Sequence, residues 1–161
     1  MTTHTLDETA PAFVDVAHRI VWATVATVAA SGEPRTRVLH PIWEFDGEHL
    51  VGWIATGPHS PKARDLAHEP RVSLTYWDPA QDIATAECVT VWEDDIEAKR
   101  IGWQRFVDGP APVGYDPAII PGWDGPDSAA FGILRLEPYR LRVFPGTLLM
   151  QGTGELLTWS A

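Results

Sequence analysis

The chain has 161 residues, 45% of them hydrophobic, and a formal net charge of −10. That composition predicts one folded domain with a real core and excludes a disordered chain. The acidic balance excludes nucleic acid or an anionic membrane as the main partner, so any anion site must be local.

Taken in order, the stretch MTTHTLDETAPAF lacks the basic and apolar regions of a secretory leader. The longest apolar run, Ile20 to Ala30, is too short to span a bilayer. With one cysteine, Cys88, no internal disulfide is possible, and a reducing cytoplasm is the expected setting. Leu6 to Arg19 is predicted as an amphipathic helix with Phe13, Val16, Ala17 and Ile20 on one face. His18 is read there as a packing residue. Val21 to Ala29 is a buried strand, and Ser31-Gly32-Glu33-Pro34 a turn.

Arg35 to Phe45 is rich in β-branched and aromatic residues, Asp46-Gly47 is a hairpin signal, and His49 to Thr56 runs back. Arg35 and Arg37 alternate onto one strand face and His40 onto the other. After Gly57-Pro58 the character changes. Ser60 suits an N-cap, Pro61 the first helical position, and Lys62, Ala63, Arg64 and Leu66 a helix that Pro70 ends. A helix start offers unpaired N–H groups and the positive end of a dipole, which favour a phosphate. Ser60, Lys62 and Arg64 stand at that point, with Arg35 and Arg37 on the neighbouring strand and His59 in the loop beside them. Hairpin and helix together therefore read as an anion pocket.

Strands are predicted over Arg71–Trp77 and Ile83–Trp92, with Cys88 as a core thiol. Asp95 caps a helix running to Phe106. Residues 108–130 hold five prolines and four glycines and read as a lid or partner-contact loop, with Tyr115 and Trp123 as candidate substrate contacts. The chain closes with strands Phe131–Glu137 and Tyr139–Phe144, a Pro145-Gly146 turn, and a short hairpin from Leu148 to Trp159. The expected organisation is one domain over 1–161, with a helix at 6–19, a barrel core at 21–92, a helix at 95–106, the loop at 108–130 and closing strands at 131–159. The strands come as hairpins, so a mainly antiparallel barrel with flanking helices is the expected class.

Other chemistries find little support. The histidines show no HxxxH or HExxH spacing, so no metal site is expected. There is no GxSxG elbow or P-loop, and Gln151-Gly152-Thr153-Gly154-Glu155 lacks the third glycine and following helix of a dinucleotide fold. Eight tryptophans suit a core or a pocket for a flat ring.

The order WATVATVAASGEPRTRVLHPIWEFDGEHLVGWIATGPHSPKARDLAHEPRVSLTYW resembles the pyridoxamine 5′-phosphate oxidase-like superfamily, the flavin-binding split barrels. The resemblance covers Val21 to Trp77, with looser echoes at Asp94–Arg100 and Leu136–Leu141. It implies a split β-barrel of Greek-key-like antiparallel type, a homodimer, and a flavin cofactor at the subunit interface. Carried across, Arg37, Val38, Leu39 and His40 would line the isoalloxazine ring. Thr56, Ser60, Pro61, Lys62 and Arg64 would form the phosphate end. Two departures refine this. The chain ends in GTLLMQGTGELLTWSA and lacks the Arg-x-His-x-Arg-like substrate motif of the vitamin B6 oxidases, so pyridoxamine phosphate is not the expected substrate. Ser60 also stands where relatives using the deazaflavin coenzyme F-420 tend to carry arginine, which favours FMN.

The leading expectation is an FMN-dependent oxidoreductase acting on a small conjugated substrate, with His40 and Tyr115 as candidate proton relays. The alternatives are a deazaflavin-dependent reductase, a non-enzymatic flavin carrier or sensor, a haem binder using His40 or His59 as axial ligand, and a structural dimer without cofactor.

Overall fold

The computed structural model describes residues 4–161. The first three residues, part of the stretch read above as lacking a leader pattern, lie outside it. Helix α1 spans Leu6–Ile20, and its start is written in the sequence. Thr5 accepts from the Glu8 backbone N–H while the Glu8 carboxylate reaches back to the Thr5 N–H, a reciprocal capping box. Thr9, Ala10, Phe13, Val16 and Ala17 form its buried face, the spacing of one helical stripe. The helix ends at Val21, whose φ of +73° is unusual for a β-branched residue.

The strands are β1 (Ala23–Val28), β2 (Pro34–Leu39), β3 (Pro41–Phe45), β4 (Leu50–Thr56), β5 (Arg71–Trp77), β6 (Ile83–Glu93), β7 (Gly132–Phe144) and β8 (Leu157–Ser160). They join in one antiparallel eight-stranded sheet of order β2-β1-β5-β6-β7-β4-β3, with β8 beside β7. The single strand predicted over Arg35–Phe45 is in fact two. It breaks at His40, before Pro41, and its halves lie at opposite edges of the sheet. Only β3 forms the predicted hairpin with β4; β2 pairs back onto β1.

That break dictates the architecture. Laid flat, six strand spacings would separate β2 from β3 by about 29 Å, yet one residue joins them. The sheet must curl until its edges meet, and because the edge strands do not pair, the barrel stays split. The predicted class is therefore observed.

Elsewhere the structure redraws the predicted bounds. Helix α2 (Pro61–His68) and helix α3 (Ile96–Val107) stand as expected, the latter capped by the Asp95 carboxylate on the N–H groups of Glu97 and Ala98. The two closing strands are one, because β7 continues through Pro138 opposite an irregularity at Glu87/Cys88. The predicted terminal hairpin is instead a short helix α4 (Gly146–Gln151) followed by β8. The asparagine-free turn at Gly146 closes tightly on Ala80, and Asp82 accepts its N–H at 2.7 Å.

The main core lies between α1 and the inner sheet face. Phe13 meets Trp43 edge-on at 4.8 Å and Tyr76 at 6.1 Å. Buried Trp43 and Tyr76 satisfy each other, the indole N–H donating to the phenol oxygen at 2.8 Å. Cys88 is buried here, as expected. A second core gathers Ile42, Phe106, Val113, Phe131 and Ile133.

Candidate functional site

The residues read as an anion pocket are brought together by strand register. In the β1–β2 ladder Arg35 stands opposite Thr27 and Arg37 opposite Val25. Thr27 and Val25 face inward, so both arginines project to the inner side of an edge strand, over helix α2. Arg37 donates to the carbonyl oxygens of Val25 and Arg35, each at 3.2 Å, which fixes its guanidinium in place.

Ser60 occupies the N-cap position of α2 and Pro61 its first turn, as read from the sequence. The Ser60 hydroxyl, however, makes no cap bond. It accepts instead from Lys62 Nζ at 2.9 Å. With Pro61 lacking an N–H and the Ala63 N–H donating to the Ser60 carbonyl at 3.0 Å, the Lys62 N–H is the first-turn donor with no acceptor among the described residues. Lys62 is half-buried and pairs with no carboxylate among the described residues. Burial lowers its pKa first, and the nearby Arg37 charge lowers it further. Burial likewise lowers Arg37. Two like charges are thus near each other and partly desolvated beside the helix start, Arg37 with Asp65 at 3.6 Å and Lys62 with no carboxylate among the described residues. Such a pair favours an anion.

Thr56 closes β4 and is buried four residues before Ser60. Arg64 and His59 are exposed and make no ion pair among the described residues. Arg64 therefore sits at the rim.

One residue at this site escaped the sequence reading. Asp65, 3% exposed, lies beneath the arginines. Its Oδ2 accepts from the Thr27 hydroxyl at 2.8 Å and lies 3.6 Å from Arg37 Nη2, and its Oδ1 accepts from Arg35 Nη1 at 3.0 Å. The available signal was Thr27, the polar residue among the inward positions of β1, the others being Ala23 and Val25.

At the other end of the β2 edge, Val38 falls opposite Thr24 on the outer face and is 59% exposed, while Leu39 faces inward opposite Ala23. His40 belongs to neither strand, so its side is set by the crossing and not by strand alternation. Its ring lies against Tyr115 at 4.9 Å and Trp22 at 5.0 Å. Its Nε2 is buried without a hydrogen-bond partner. Burial lowers the His40 pKa, with the Val113 backbone opposing, and burial pushes the Tyr115 phenol up to about 12. Neutral imidazole and protonated phenol therefore stand side by side. Trp22, 58% exposed, is a further aromatic group that the strand reading did not single out.

The segment 108–130 is not a free lid. Val113 is fully buried, Pro117–Ile119 forms a 3₁₀ turn, and the Tyr115 N–H donates to the Phe106 carbonyl at 2.9 Å. Tyr115 reaches His40, whereas Trp123 packs edge-on against Phe131 at 5.2 Å. The two candidate substrate contacts thus have different neighbours, and only Tyr115 joins the His40 cluster.

His18 packs as expected. Its Nε2 accepts from the Trp43 backbone N–H at 2.9 Å, and burial lowers its pKa. His18 and His40 thus both titrate below the ordinary imidazole value of 6.5. The unfolded chain takes up these protons first, so stability is full above that value and lost as pH falls through it. The melting temperature is expected to drop between about pH 7 and about pH 5, before carboxylate protonation contributes. A flat profile in that window would show both imidazoles protonating freely in the folded state.

Among the described residues, no three histidine, cysteine or acidic side chains cluster as a metal site, and no helix is long and apolar enough to cross a membrane.

A family model described as pyridoxamine 5′-phosphate oxidase matches residues 9–142. No curated protein matches the chain in sequence. Among solved structures, a pyridoxamine 5′-phosphate oxidase-related, FMN binding protein of Nostoc punctiforme matches with a TM-score of 0.65 at 17% identity, over 100% of this chain and 99% of that one. A haem binding protein from Mycobacterium smegmatis matches with a TM-score of 0.66 at 18% identity, over 99% of this chain and 60% of that one. An F-420 reductase matches with a TM-score of 0.55 at 19% identity, over 79% and 93% respectively. At such identities the three structures speak to the fold alone. The family model, which spans most of the chain, together with the split sheet, establishes that this chain belongs to the pyridoxamine 5′-phosphate oxidase-like family of split-barrel proteins.

Proposed function

We propose that this protein binds FMN and works as an oxidoreductase on a small conjugated substrate other than pyridoxamine phosphate. The observation that carries the reading is the Arg37–Lys62 pair, two half-buried cations beside a helix start whose Ser60 hydroxyl makes no cap bond, with no carboxylate on Lys62 among the described residues. A phosphate dianion matches that charge and geometry. Thr56, Ser60, Pro61 and Lys62 would form its seat, with Arg64 at the rim. The ring would lie along Val38, Leu39 and His40, where the chain crosses between sheet edges, with Arg37 turned to the phosphate and not to the ring.

Bound there, the flavin supplies the hydride or electron transfer, and the protein supplies position and polarity. Tyr115 and His40 are the candidate proton relay; their rings lie 4.9 Å apart and the buried His40 Nε2 has no partner, so a relay would need the phenol to come within hydrogen-bond distance of it. Trp123 would act through the packing of the 108–130 segment.

A homodimer is part of this proposal. Val38, Thr24 and Thr75 stand in a row across β2, β1 and β5 on the outer sheet face. Val28 on β1 and Trp77 on β5 extend the same face, and both are exposed. An exposed apolar sheet face of this kind favours a partner, and a second copy would cover the ring end of the site. A cytoplasmic setting accords with the lone buried Cys88.

A deazaflavin is the second reading, favoured by Arg64, which is exposed, makes no ion pair among the described residues and is available to a longer anionic tail. Equilibrium titration of the apo-protein with FMN and with the deazaflavin coenzyme, followed by fluorescence, separates the two. Tighter FMN binding is expected. The reverse would redirect the assignment to deazaflavin-dependent reduction. Binding of neither, with a Soret band on adding haem, would turn it to a haem protein using His40 or His59. Silence with all three would leave a structural dimer.

A further inference from the structure

We propose that Asp65 is a positioning residue of the anion site, acting on the bound phosphate through Arg37. The inference rests on the phosphate reading above and deepens it.

Asp65 is the only buried carboxylate among the described residues. A buried charge is retained only where its partners are well arranged. Here the Thr27 hydroxyl and Arg35 donate to separate oxygens, and Arg37 Nη2 lies 3.6 Å from Oδ2. Arg37 also has two backbone acceptors through Nη1. Its Nη1 is thereby held by the strand backbone and its Nη2 lies toward Asp65, while its charge is near enough to lower the Lys62 pKa beyond the effect of burial. Chain order gives this geometry a purpose. Asp65 lies one turn after Pro61 on the helix whose start holds Ser60 and Lys62. One carboxylate thus ties helix, β1 and β2 into a fixed relation, which sets the Arg37 guanidinium relative to the helix start that carries Lys62.

A second role is possible for an acid near an anion site. Asp65 could simply oppose the phosphate, a negative charge that any anion must tolerate. Its hydrogen bonds argue against this. They place the carboxylate behind the arginines, where it restrains them at the expense of some positive field.

The test compares FMN with riboflavin, which shares the ring and lacks the phosphate. The riboflavin dissociation constant divided by that of FMN isolates the phosphate contribution. In Asp65→Asn that ratio is expected to fall about tenfold with riboflavin affinity unchanged, the equivalent of one charged hydrogen bond less well made. In an Arg37→Gln background the same substitution is expected to have no further effect on the ratio. If Asp65→Asn fails to fold, Thr27→Val, which removes one partner and leaves the charge, carries the test with an expected loss of about threefold. An equal loss for both ligands would overturn the proposal and leave Asp65 as a packing residue. Tighter FMN binding would overturn it in favour of simple opposition. A wild-type protein that binds FMN and riboflavin equally would remove the phosphate site itself, and the role of Asp65 with it.

Discussion

Replacing Lys62 by alanine is expected to weaken FMN binding by about 1.5–3 kcal/mol, roughly ten- to a hundredfold in dissociation constant. The ammonium is half-buried and bonds only the Ser60 hydroxyl among the described residues. A phosphate would therefore make a charge-assisted bond that no internal partner already claims. The apo-protein should respond in the opposite direction. Burial and the Arg37 charge both disfavour the ammonium, so its removal relieves a cost, and the melting temperature of the empty protein should hold or rise. Loss of affinity together with unchanged or greater stability is the signature of a binding residue. Arg64→Ala, at an exposed position of the same helix, should change FMN binding far less because solvent screens its charge. Unchanged FMN affinity in Lys62→Ala, measured by fluorescence titration, would remove Lys62 from the phosphate site.

Gly114→Ala is expected to destabilise the fold by about 3 kcal/mol, at the upper end of overpacking costs. A Cβ at this position would sit 2.0 Å from the Gly109 carbonyl oxygen and 2.6 Å from its carbon. Both are backbone atoms, so no side chain can turn aside to make room. The approach is fixed from both ends, since the N–H groups of Val113 and Gly114 both donate to the Pro110 carbonyl and that of Tyr115 donates to Phe106. Relief requires the 109–115 turn to open, and Val113 and Tyr115 would leave their places against the second core and His40. Urea unfolding measures the loss. Wild-type stability in the variant would mean that this turn adapts at little cost and does not hold Tyr115.

The contrast between these two positions shows what could be read in advance. Lys62 was legible because a helix start is encoded locally, by a cap candidate, a proline and a cation within three residues. Gly114 was not, because its partner Gly109 is defined only once the chain folds over Phe106. The same holds for 108–130. Its prolines and glycines announce a segment without long regular elements, but they do not say that its Val113 is buried in the second core.

His40 is the instructive error. Arg35–Phe45 has the composition of one long strand, and alternation then assigns His40 a side. Composition cannot register that Pro41 begins a strand at the far edge of the sheet, where its missing N–H is tolerated. The Ser60 hydroxyl is similar. Its position at the cap was correctly read, but its partner was not, because Lys62 folds back to take it.

By itself, the sequence determined the antiparallel class, helices α1, α2 and α3, and the cations at the head of α2, all of which follow from periodicity and capping over a few residues. Only the tertiary structure decided that β2 and β3 part to opposite edges, that Asp65 lies beneath Arg35 and Arg37, and that His40 meets Tyr115. Those are contacts between residues 28 to 75 positions apart or between strands whose register is set by pairing, and local chemistry has no term for them. The fold supplies it, since burying one apolar sheet face fixes the register, and the register fixes which charges meet.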